Sequence, residues 1–234
     1  MNLEALNREI IACRKCPRLV QWREEAARKK RKAYEDWDYW GKPVPGFGDP
    51  LARVLVVGLA PGAHGSNRTG RQFTGDASGD FLFPALYRAG FASQPESVSR
   101  DDGLMLKDIY ITASGRCAPP RNKPTTQELN RCQPFLEREI ELLHPKVIVC
   151  LGRLAFGRIL HIYSARDPAW KFAHSAVFQI ESGPWLVCSY HPSQQNTLTG
   201  KLTAKMFDAM WAQVRELHEG TESEASLSER RKIK

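Results

Sequence analysis

The chain has 234 residues, of which 42% are hydrophobic and 26% charged, and its formal net charge at pH 7 is +8. This composition is typical of a soluble globular protein, and the length suits one domain with a full core. No apolar run approaches the roughly 20 residues needed to cross a bilayer, and the N-terminus lacks the uninterrupted apolar stretch of a secretory signal. These features predict a cytoplasmic protein with no membrane partner. The positive charge favours a polyanion such as nucleic acid as partner, although charge alone does not establish one.

The predicted elements alternate between helices and strands. Residues 2 to about 32 favour an amphipathic helical region that two cysteines interrupt, and residues 34–50 favour an irregular segment packed by aromatic side chains. Strands are predicted at residues 54–57, 109–112, 146–151, 176–180 and 185–189. Helices are predicted at residues 80–89, 125–143, 152–162 and about 202–218, with Thr125 or Thr126 as the N-cap of the second. This order implies an open α/β sheet with helices on both faces, in one domain over residues 1–218. The polar tail, residues 219–234, is expected to be disordered.

A glycine-rich stretch follows the first predicted strand. Residues 54–79 read VLVVGLAPGAHGSNRTGRQFTGDASG, in which two arginines, an aromatic residue and an acid stand among the glycines. Ligands bind outside the carboxyl ends of parallel strands, and glycines let backbone N–H groups approach a ligand closely. We therefore expect a binding loop here. Residues 65–70 have the glycine spacing of a phosphate-binding loop, but Arg71 and Gln72 replace its lysine and hydroxyl residue, which argues against phosphoryl transfer.

The cysteines fall into two groups. Cys150 and Cys188 lie within apolar strand runs and are expected in the core. The other four occupy loop or helix-end positions and begin with a C-x-x-C pair: Cys13, Cys16, Cys117 and Cys132. Such a pair clamps one metal ion or one cluster edge, and two further thiolates complete a set suited to zinc or to an iron–sulfur cluster. Disulfides are the alternative, but a reducing cytoplasm argues against them. The spacing does not separate zinc from iron–sulfur, and a site with no open position would be structural.

A second polar loop follows the last predicted strand and reads SYHPSQQNTLTG over residues 189–200. If that strand is parallel to the first, both loops open at the same edge of the sheet, and His191 faces the glycine loop across one cleft. A lone histidine is more often a packed or solvated residue, but its place in a loop after a buried strand favours a functional role. Leu198 is the one apolar residue of the segment 194–199, which suits a probe that enters a nucleic-acid groove.

Taken together, these segments resemble the uracil-DNA glycosylase superfamily, in particular its iron–sulfur type-b branch, often called the fifth family. The resemblance rests on YWGKPVPGFGDP, GLAPGAHGSNRTGRQFTGDASG, RCAPP with its downstream cysteine, and HPSQQNTLTGKLT. It covers nearly the whole chain and implies a single three-layer α/β/α sandwich with a central, mostly parallel sheet. It also implies a [4Fe–4S] cluster on the four cysteines. We expect a monomer that acts on double- and single-stranded DNA. The implied reaction is excision of uracil and of other deaminated bases, including hypoxanthine.

The family pattern assigns roles to individual residues. The implied base pocket comprises Gly58, Leu59, Ala60, Pro61, Gly62, Phe73 and Ser114. The implied DNA contacts are Arg68, Arg71, Ser193, Gln194, Asn196, Leu198 and Lys201. Relatives with strict uracil specificity place an acid or an asparagine soon after the first motif glycine, where this chain reads LAPG, so Asp76 remains as the catalytic candidate. Ala113 replaces the usual asparagine four residues before the third cysteine, which favours a looser base preference.

The chemistry of base excision fits these residue types. Cleavage of an N-glycosidic bond develops positive charge on the sugar and negative charge on the leaving base. Asp76 would stabilise the sugar and orient water, and His191 would donate a hydrogen bond to the base. Phe73 offers a stacking face worth roughly 1–3 kcal/mol. Flipping the base costs a few kcal/mol, which a wedge from residues 194–199 would help to offset.

Two other classes of protein are compatible with parts of the sequence. The first is a non-catalytic nucleic-acid-binding protein with a structural zinc on the four cysteines. An acid beside DNA phosphates would weaken such a binder, so Asp76 favours an enzyme. The second is a nucleotide-dependent enzyme, against which the incomplete phosphate-loop motif argues.

Overall fold

A six-stranded sheet forms the centre of the fold. The computed structural model describes residues 2–165 and 167–232, with side chains as far as Gly220. In chain order the strands are β1 (Phe47–Gly48), β2 (Val54–Gly58), β3 (Ile109–Ala113), β4 (Val147–Leu151), β5 (Val177–Gln179) and β6 (Trp185–Ser189). Across the sheet they are ordered β1-β3-β2-β4-β6-β5, with the four central strands parallel and the two edge strands antiparallel. Every residue of β2, β3 and β4 is buried, as expected for parallel strands covered on both faces.

Helices cover both faces of this sheet. In chain order they are α1 (Leu3–Ala12), α2 (Pro17–Lys29), α3 (Ser66–Thr69), α4 (Ala77–Arg88), α5 (Thr126–Leu143), α6 (Arg153–Ile162), α7 (Gln194–Leu198) and α8 (Ala204–Lys232). Successive strand residues point to opposite faces, so Val54 and Val56 pack with α4 and α8. Leu55 and Val57 pack with α5 and α6 on the other side. The predicted three-layer α/β/α sandwich is therefore confirmed. Among the helices that the structure describes, none has the length and apolar character to cross a membrane.

Local chemistry sets where the helices begin. The Thr125 hydroxyl accepts a hydrogen bond from the Glu128 N–H, and the Glu128 carboxylate accepts one from the Thr125 N–H, which together form a capping box before α5. Pro17 occupies the first turn of α2, where its missing N–H removes no helical hydrogen bond. Helix α1 ends at Ala12 and α2 begins at Pro17, so the C-x-x-C pair lies in the turn between the two helices. Helix α4 begins at Ala77, earlier than predicted, because Asp76 caps it.

The remaining differences from the prediction are small. Strand β1 and helices α3 and α7 were not predicted, because each is too short to show a hydrophobic period. Helix α8 begins close to the predicted position. For residues 219–234 the structure describes the helical backbone to Lys232 but not the side chains beyond Gly220, and the expected disorder of this tail stays a prediction.

Candidate active site

The two predicted site loops open at the same edge of the sheet. The glycine loop (residues 58–79) leaves the end of β2, and the loop of His191 leaves the end of β6, with the parallel strand β4 between them. At the end of β4, a Cβ atom on Gly152 would lie 3.5 Å from the Cβ atom of His191. After β2 the chain adds β3 on one side of it and then β4 on the other, so the strand order reverses at β2. Open α/β sheets bind ligands in the crevice that such a reversal leaves at the carboxyl ends of the strands.

Phe73 connects the two loops. A Cβ atom on Gly58 would lie 2.7 Å from the Phe73 ring, so the ring rests on the end of β2. The ring centroids of Phe73 and His191 are 5.9 Å apart. The φ angle of Phe73 is +53°, a left-handed conformation that is rare for a bulky residue and often marks a functional site. The structure therefore brings together three of the predicted residues, Gly58, Phe73 and His191.

Asp76 is held in a defined orientation at the start of α4. Its Oδ1 atom accepts hydrogen bonds from the N–H groups of Ser78, at 3.0 Å, and Gly79, at 3.2 Å. Its Oδ2 atom faces the glycine loop, where a Cβ atom would lie 3.1 Å away if built on Gly62 and 2.1 Å away if built on Gly65. Burial raises the pKa of the Asp76 carboxyl, while the two backbone N–H donors and Arg68 act in the opposite direction. Gly62 and Gly65 thus leave room for the Asp76 side chain.

His191 is neutral at physiological pH. Burial lowers the pKa of its imidazole to about 4, because the surrounding apolar groups disfavour the charged form. The backbone carbonyl of His191 accepts a hydrogen bond of 2.9 Å from the Asn196 side chain, which ties the loop to α7. A neutral imidazole has one N–H donor and one acceptor nitrogen, so His191 can donate one hydrogen bond to a ligand.

The end of β3 forms the adjoining wall of the predicted base pocket. The Ser114 hydroxyl donates to the Gly58 carbonyl at 3.1 Å, and the Ser114 N–H donates to the same oxygen at 2.9 Å. Gly115 N–H donates to the Leu59 carbonyl at 2.8 Å, which continues the pairing of β2 and β3 beyond the strands. Ala113, the residue before Ser114, is buried and brings no polar side chain to this wall. Along the glycine loop, Leu59, Ala60 and Gly62 are partly exposed and Pro61 is buried.

Arg68 does not face solvent, which corrects the prediction that it binds a phosphate. Its guanidinium donates to the carbonyls of His64 and Gly75, each at 2.8 Å. It also lies between two aromatic rings, 3.9 Å from the centroid of Tyr34 and 4.1 Å from that of Trp37. Only 4% of the residue is exposed. Arg68 therefore closes the glycine loop on itself and fixes it to the aromatic segment that precedes β1.

Arg71 is likewise internal, and the same correction applies to it. It forms two hydrogen bonds with the Asp102 carboxylate, of 2.9 and 2.6 Å, and one of 2.7 Å with the Ser97 hydroxyl. These bonds hold the pKa of Asp102 down at about 2, together with the backbone N–H groups that the carboxylate accepts and against the effect of burial. Arg71 is 5% exposed, so it anchors the glycine loop to the loop before β3.

The segment before β1 packs its aromatic rings on the glycine loop. The Tyr39 hydroxyl is 3.1 Å from His64 Nδ1, and burial lowers the pKa of that histidine, with Arg31 and Arg68 acting in the same direction. The Trp40 ring covers Gly70, where an added Cβ atom would lie 2.9 Å from it. The sequence predicted an irregular segment packed by aromatics, and the structure adds what the aromatics pack against.

The predicted DNA-contacting residues of the second loop lie on and beside α7. Ser193 occupies the N-cap position of that helix, and Gln194 is exposed in its first turn. Leu198, at the end of α7, is 82% exposed, which leaves an apolar side chain in solvent at the edge that carries His191. The Lys201 ammonium lies 4.9 Å from the centroid of the Tyr190 ring. Asn196 is engaged with the His191 carbonyl, so it supports this loop from within.

The four cysteines of the predicted metal set line one cavity. Cys13 and Cys16 come from the turn between α1 and α2, Cys117 from the segment after β3, and Cys132 from α5. All four are free cysteines. Burial raises the pKa of Cys117 to about 12, although Arg23 acts against this, and burial also raises the pKa of Cys132. No group of three or more His, Cys, Asp or Glu side chains in the described part of the chain is arranged around a single metal ion.

Three supporting residues were missed by the sequence analysis. Arg23 donates to the Cys117 sulfur at 3.2 Å, Asp102 binds Arg71, and Glu139 forms a buried ion pair of 2.6 Å with Arg116. Asp102 stands before a glycine in a polar segment, which indicates a turn but not a partner. Arg23 lies among other charged residues of α2, a pattern that is typical of a solvent-exposed helix face, so the sequence did not indicate that Arg23 is buried.

The fold and this edge of the sheet define an α/β/α protein whose loops place a half-buried acid, a neutral imidazole and an aromatic ring beyond the carboxyl ends of its parallel strands. The model of the Uracil DNA glycosylase superfamily matches residues 45–215, and the chain belongs to that superfamily. The resemblance described above is therefore confirmed.

Relatives along most of the chain carry names from the same superfamily. The chain is 54% identical over 208 residues to a type-5 uracil-DNA glycosylase of Thermus thermophilus, with 88% of this chain and 94% of the relative covered. It is 49% identical over 215 residues to a type-5 uracil-DNA glycosylase of Mycobacterium tuberculosis, with 91% and 80% covered. A type-4 uracil-DNA glycosylase of Archaeoglobus fulgidus is 30% identical over 198 residues, with 82% of each covered. The greater similarity to the type-5 proteins agrees with the predicted branch.

Proposed function

We propose that this chain hydrolyses the N-glycosidic bond between deoxyribose and uracil in DNA and leaves an abasic site. The observation that carries the proposal is the Asp76 carboxylate, with one oxygen fixed by the N-terminus of α4 and the other turned towards Gly62 and Gly65. A neutral residue could cap α4 as well, whereas a carboxylate at this edge would repel the phosphates of DNA in a protein that only binds it. The type-5 relatives, named as uracil-DNA glycosylases, support the same activity.

In the proposed reaction the chain's own side chains stabilise the two separating charges. Asp76, as a carboxylate, stabilises the positive charge that develops on the sugar and orients the attacking water. Neutral His191 donates a hydrogen bond to the leaving base as it becomes an anion. The Phe73 ring, fixed between Gly58 and His191, forms one side of the base pocket.

We extend the proposed substrates to other deaminated bases such as hypoxanthine. At the end of β3 the pocket wall has Ala113, and the Ser114 hydroxyl is already bonded to the Gly58 carbonyl. This wall offers no side-chain amide that would select the edge of a pyrimidine, so base choice depends on the backbone and on pocket shape. The test is to compare excision rates for uracil, hypoxanthine and xanthine. Uracil-only excision by the wild type would contradict this extension.

We further propose that the four cysteines hold a [4Fe–4S] cluster. A cluster of this type takes one thiolate on each of four irons, so its ligands need not meet at one point. The cavity fits such a group, because four cysteines line it and the Arg23 guanidinium points at Cys117. With all four thiolates engaged, the cluster would act as a structural cross-link between the α1–α2 turn, the segment after β3, and α5. Anaerobic purification should give a brown protein with equal iron and sulfide, whereas a colourless protein containing zinc would refute the cluster.

The activity test uses duplex DNA with one uracil, followed by alkaline cleavage of abasic sites. We expect strand breaks with the wild type and very few with Asp76→Asn. Binding of uracil DNA without any strand break, by protein that contains its metal, would favour the rival function of a non-catalytic binder.

We place the DNA wedge at Leu198. Leu198→Ala should lower excision of uracil paired in duplex DNA more than excision from single strands, because only the paired base must be extruded. Leu51 is equally exposed, at 82%, but lies before β2 at the opposite edge, so Leu51→Ala is the matched control. Equal effects on the two substrates would show that Leu198 is not a wedge.

A further inference from the structure

Arg23 lies between the cysteine cavity and the glycine loop and contacts both. Its side chain, on α2, donates from Nη1 to the Cys117 sulfur at 3.2 Å. Its backbone carbonyl accepts a hydrogen bond of 3.1 Å from the side-chain amide of Asn67, in α3 of the glycine loop. Both residues are almost completely buried, with Arg23 1% and Asn67 0% exposed. The proposed reaction assigns no role to either.

The charge of Arg23 is poorly balanced by protein groups. Within the residues that the structure describes, the only carboxylate at ion-pair distance is Glu24, whose oxygen is 3.7 Å from Arg23 Nη2. That carboxylate is already engaged by Arg14, with hydrogen bonds of 2.5 and 3.2 Å. The Arg23 Nε atom is buried without a hydrogen-bond partner. Buried charges are normally paired, so an anionic group in the adjacent cysteine cavity would complete the environment of Arg23.

The other end of the contact is equally specific. Asn67 donates to Arg23 and, at 3.4 Å, to the Ala63 carbonyl, and its own N–H donates to the Gly62 carbonyl at 3.0 Å. Asn67 therefore connects α2 to the turn of the glycine loop that faces the Asp76 carboxylate. A displacement of α2 at Arg23 would reach this turn through a single residue.

We propose that Arg23 ties the cysteine cavity to the glycine loop, so that an anionic occupant of the cavity stabilises the loop conformation that surrounds Asp76. Arg23 is thus a positioning residue. The inference rests on the proposed cluster and on the proposed role of Asp76. It means that the cluster stabilises the conformation of the glycine loop in addition to cross-linking the cysteine-bearing segments.

The test measures hydrogen exchange of the backbone amides of residues 62–76 and iron content, on intact protein before and after removal of the cluster by a chelator. In the wild type we expect exchange in this loop to accelerate when the cluster is removed. Arg23→Met should lose iron to the chelator about tenfold faster than the wild type, the scale seen when a group that supports a metal ligand is removed. Its loop should exchange rapidly even while iron remains bound.

Two further variants separate the side-chain contact from the backbone contact. Arg23→Lys keeps the positive charge, so it should retain iron longer than Arg23→Met. If Arg23→Met does not fold, Arg23→Lys is compared with the wild type in its place. Asn67→Leu should keep the cluster but exchange rapidly in the loop. Arg28→Met is the matched control, since Arg28 lies on the same helix at an exposed position, and it should behave as the wild type.

Two results would overturn the inference in different ways. If the loop of the iron-loaded wild type exchanges as fast as that of the depleted protein, Arg23 does not couple the two sites, although the cluster stands. If the anaerobically purified wild type contains no iron, the cluster proposal fails first, and this coupling fails with it.

Discussion

Asp76 divides its two carboxylate oxygens between the fold and the proposed chemistry. One oxygen caps α4, and the other is enclosed by the loop glycines. These tasks make different demands, because a cap needs only an acceptor, whereas stabilising a cationic sugar needs the negative charge. The two roles can therefore be separated by substitution.

Asp76→Asn should lower turnover on uracil DNA by about 100-fold or more and leave DNA affinity nearly unchanged. Asparagine caps helices about as well as aspartate, so the free energy of unfolding should change by less than about 1 kcal/mol. Single-turnover excision, DNA binding and urea denaturation measure the three quantities. Asp76→Ser, another capping residue without charge, is the matched control and should behave alike. A parallel loss of binding and cleavage would mean that the carboxylate is structural.

Gly65→Ala should reduce turnover by displacing the carboxylate. A Cβ atom at this position would lie 2.1 Å from Asp76 Oδ2, which is far inside van der Waals contact. Gly157→Ala is the control, because nothing lies within 4 Å of a Cβ atom there and alanine favours the helix by about 0.5–1 kcal/mol. Steady-state kinetics of both variants give the comparison. Wild-type turnover in Gly65→Ala would show that the glycine loop can accommodate the methyl group without displacing the Asp76 carboxylate.

The pH dependence of stability should show a contribution from His191. Its pKa is about 4 in the folded protein and about 6.5 when unfolded. A depressed histidine pKa means that the unfolded chain binds the proton first, so this contribution is present above about pH 6.5 and is lost as pH falls towards 4. The free energy of unfolding in urea should therefore fall less between pH 7 and pH 5 in His191→Gln than in the wild type. An equal loss in both proteins would place the imidazole in solvent.

At the scale of single elements, the loop before β3 supports the glycine loop through one ion pair. The Asp102 carboxylate accepts two hydrogen bonds from Arg71 and also receives the N–H groups of Val98, Ser99 and Leu104. It thus organises its own loop and holds the neighbouring one. Phe73, two residues after Arg71, keeps its left-handed conformation within this frame.

Asp102→Asn should destabilise the protein by about 3 kcal/mol, because it leaves the buried Arg71 guanidinium without a counter-charge. Asp101→Asn is the control, since the Asp101 side chain is 87% exposed. In the wild type the depressed pKa of Asp102 means that its stabilisation is present above about pH 4 and is lost as pH falls towards 2. Urea denaturation measures both effects, and equal stabilities of the two variants would show that Arg71 finds another partner.

The elements that could be predicted are those whose signal is local. The buried strand β2 and the capping box of α5 are both visible in a few adjacent residues, and both are confirmed. The roles of Arg68 and Arg71 were missed for the opposite reason. Their partners, Tyr34, Trp37 and Asp102, are distant in sequence, and a basic residue in a glycine loop is equally consistent with phosphate binding.

Across the whole molecule, one buried ion pair joins the helical layer to the segment that carries Cys117. Arg116 and Glu139 are 1% and 0% exposed, and Arg116 also donates to the Thr112 hydroxyl on β3. Glu139→Gln should cost about 3–5 kcal/mol, because it leaves a buried guanidinium uncompensated. Glu141→Gln, at an exposed position of the same helix, should cost little. The free energy of unfolding in urea provides the measurement, and similar values for the two variants would contradict a structural role of the pair.

The cysteine cavity is assembled from two distant stretches of the chain. Cys13 and Cys16 leave the ribosome before any strand of the sheet, whereas Cys132 follows β3. Bringing them together closes a long loop, whose entropic cost is met only when the surrounding layers pack. During synthesis the thiols of Cys13 and Cys16 therefore precede the last cysteine of the set, Cys132, by the length of chain that contains β1, β2 and β3. The proposed cluster would accordingly be inserted late in maturation, and a nascent chain stalled before Cys132 would lack its fourth cysteine ligand.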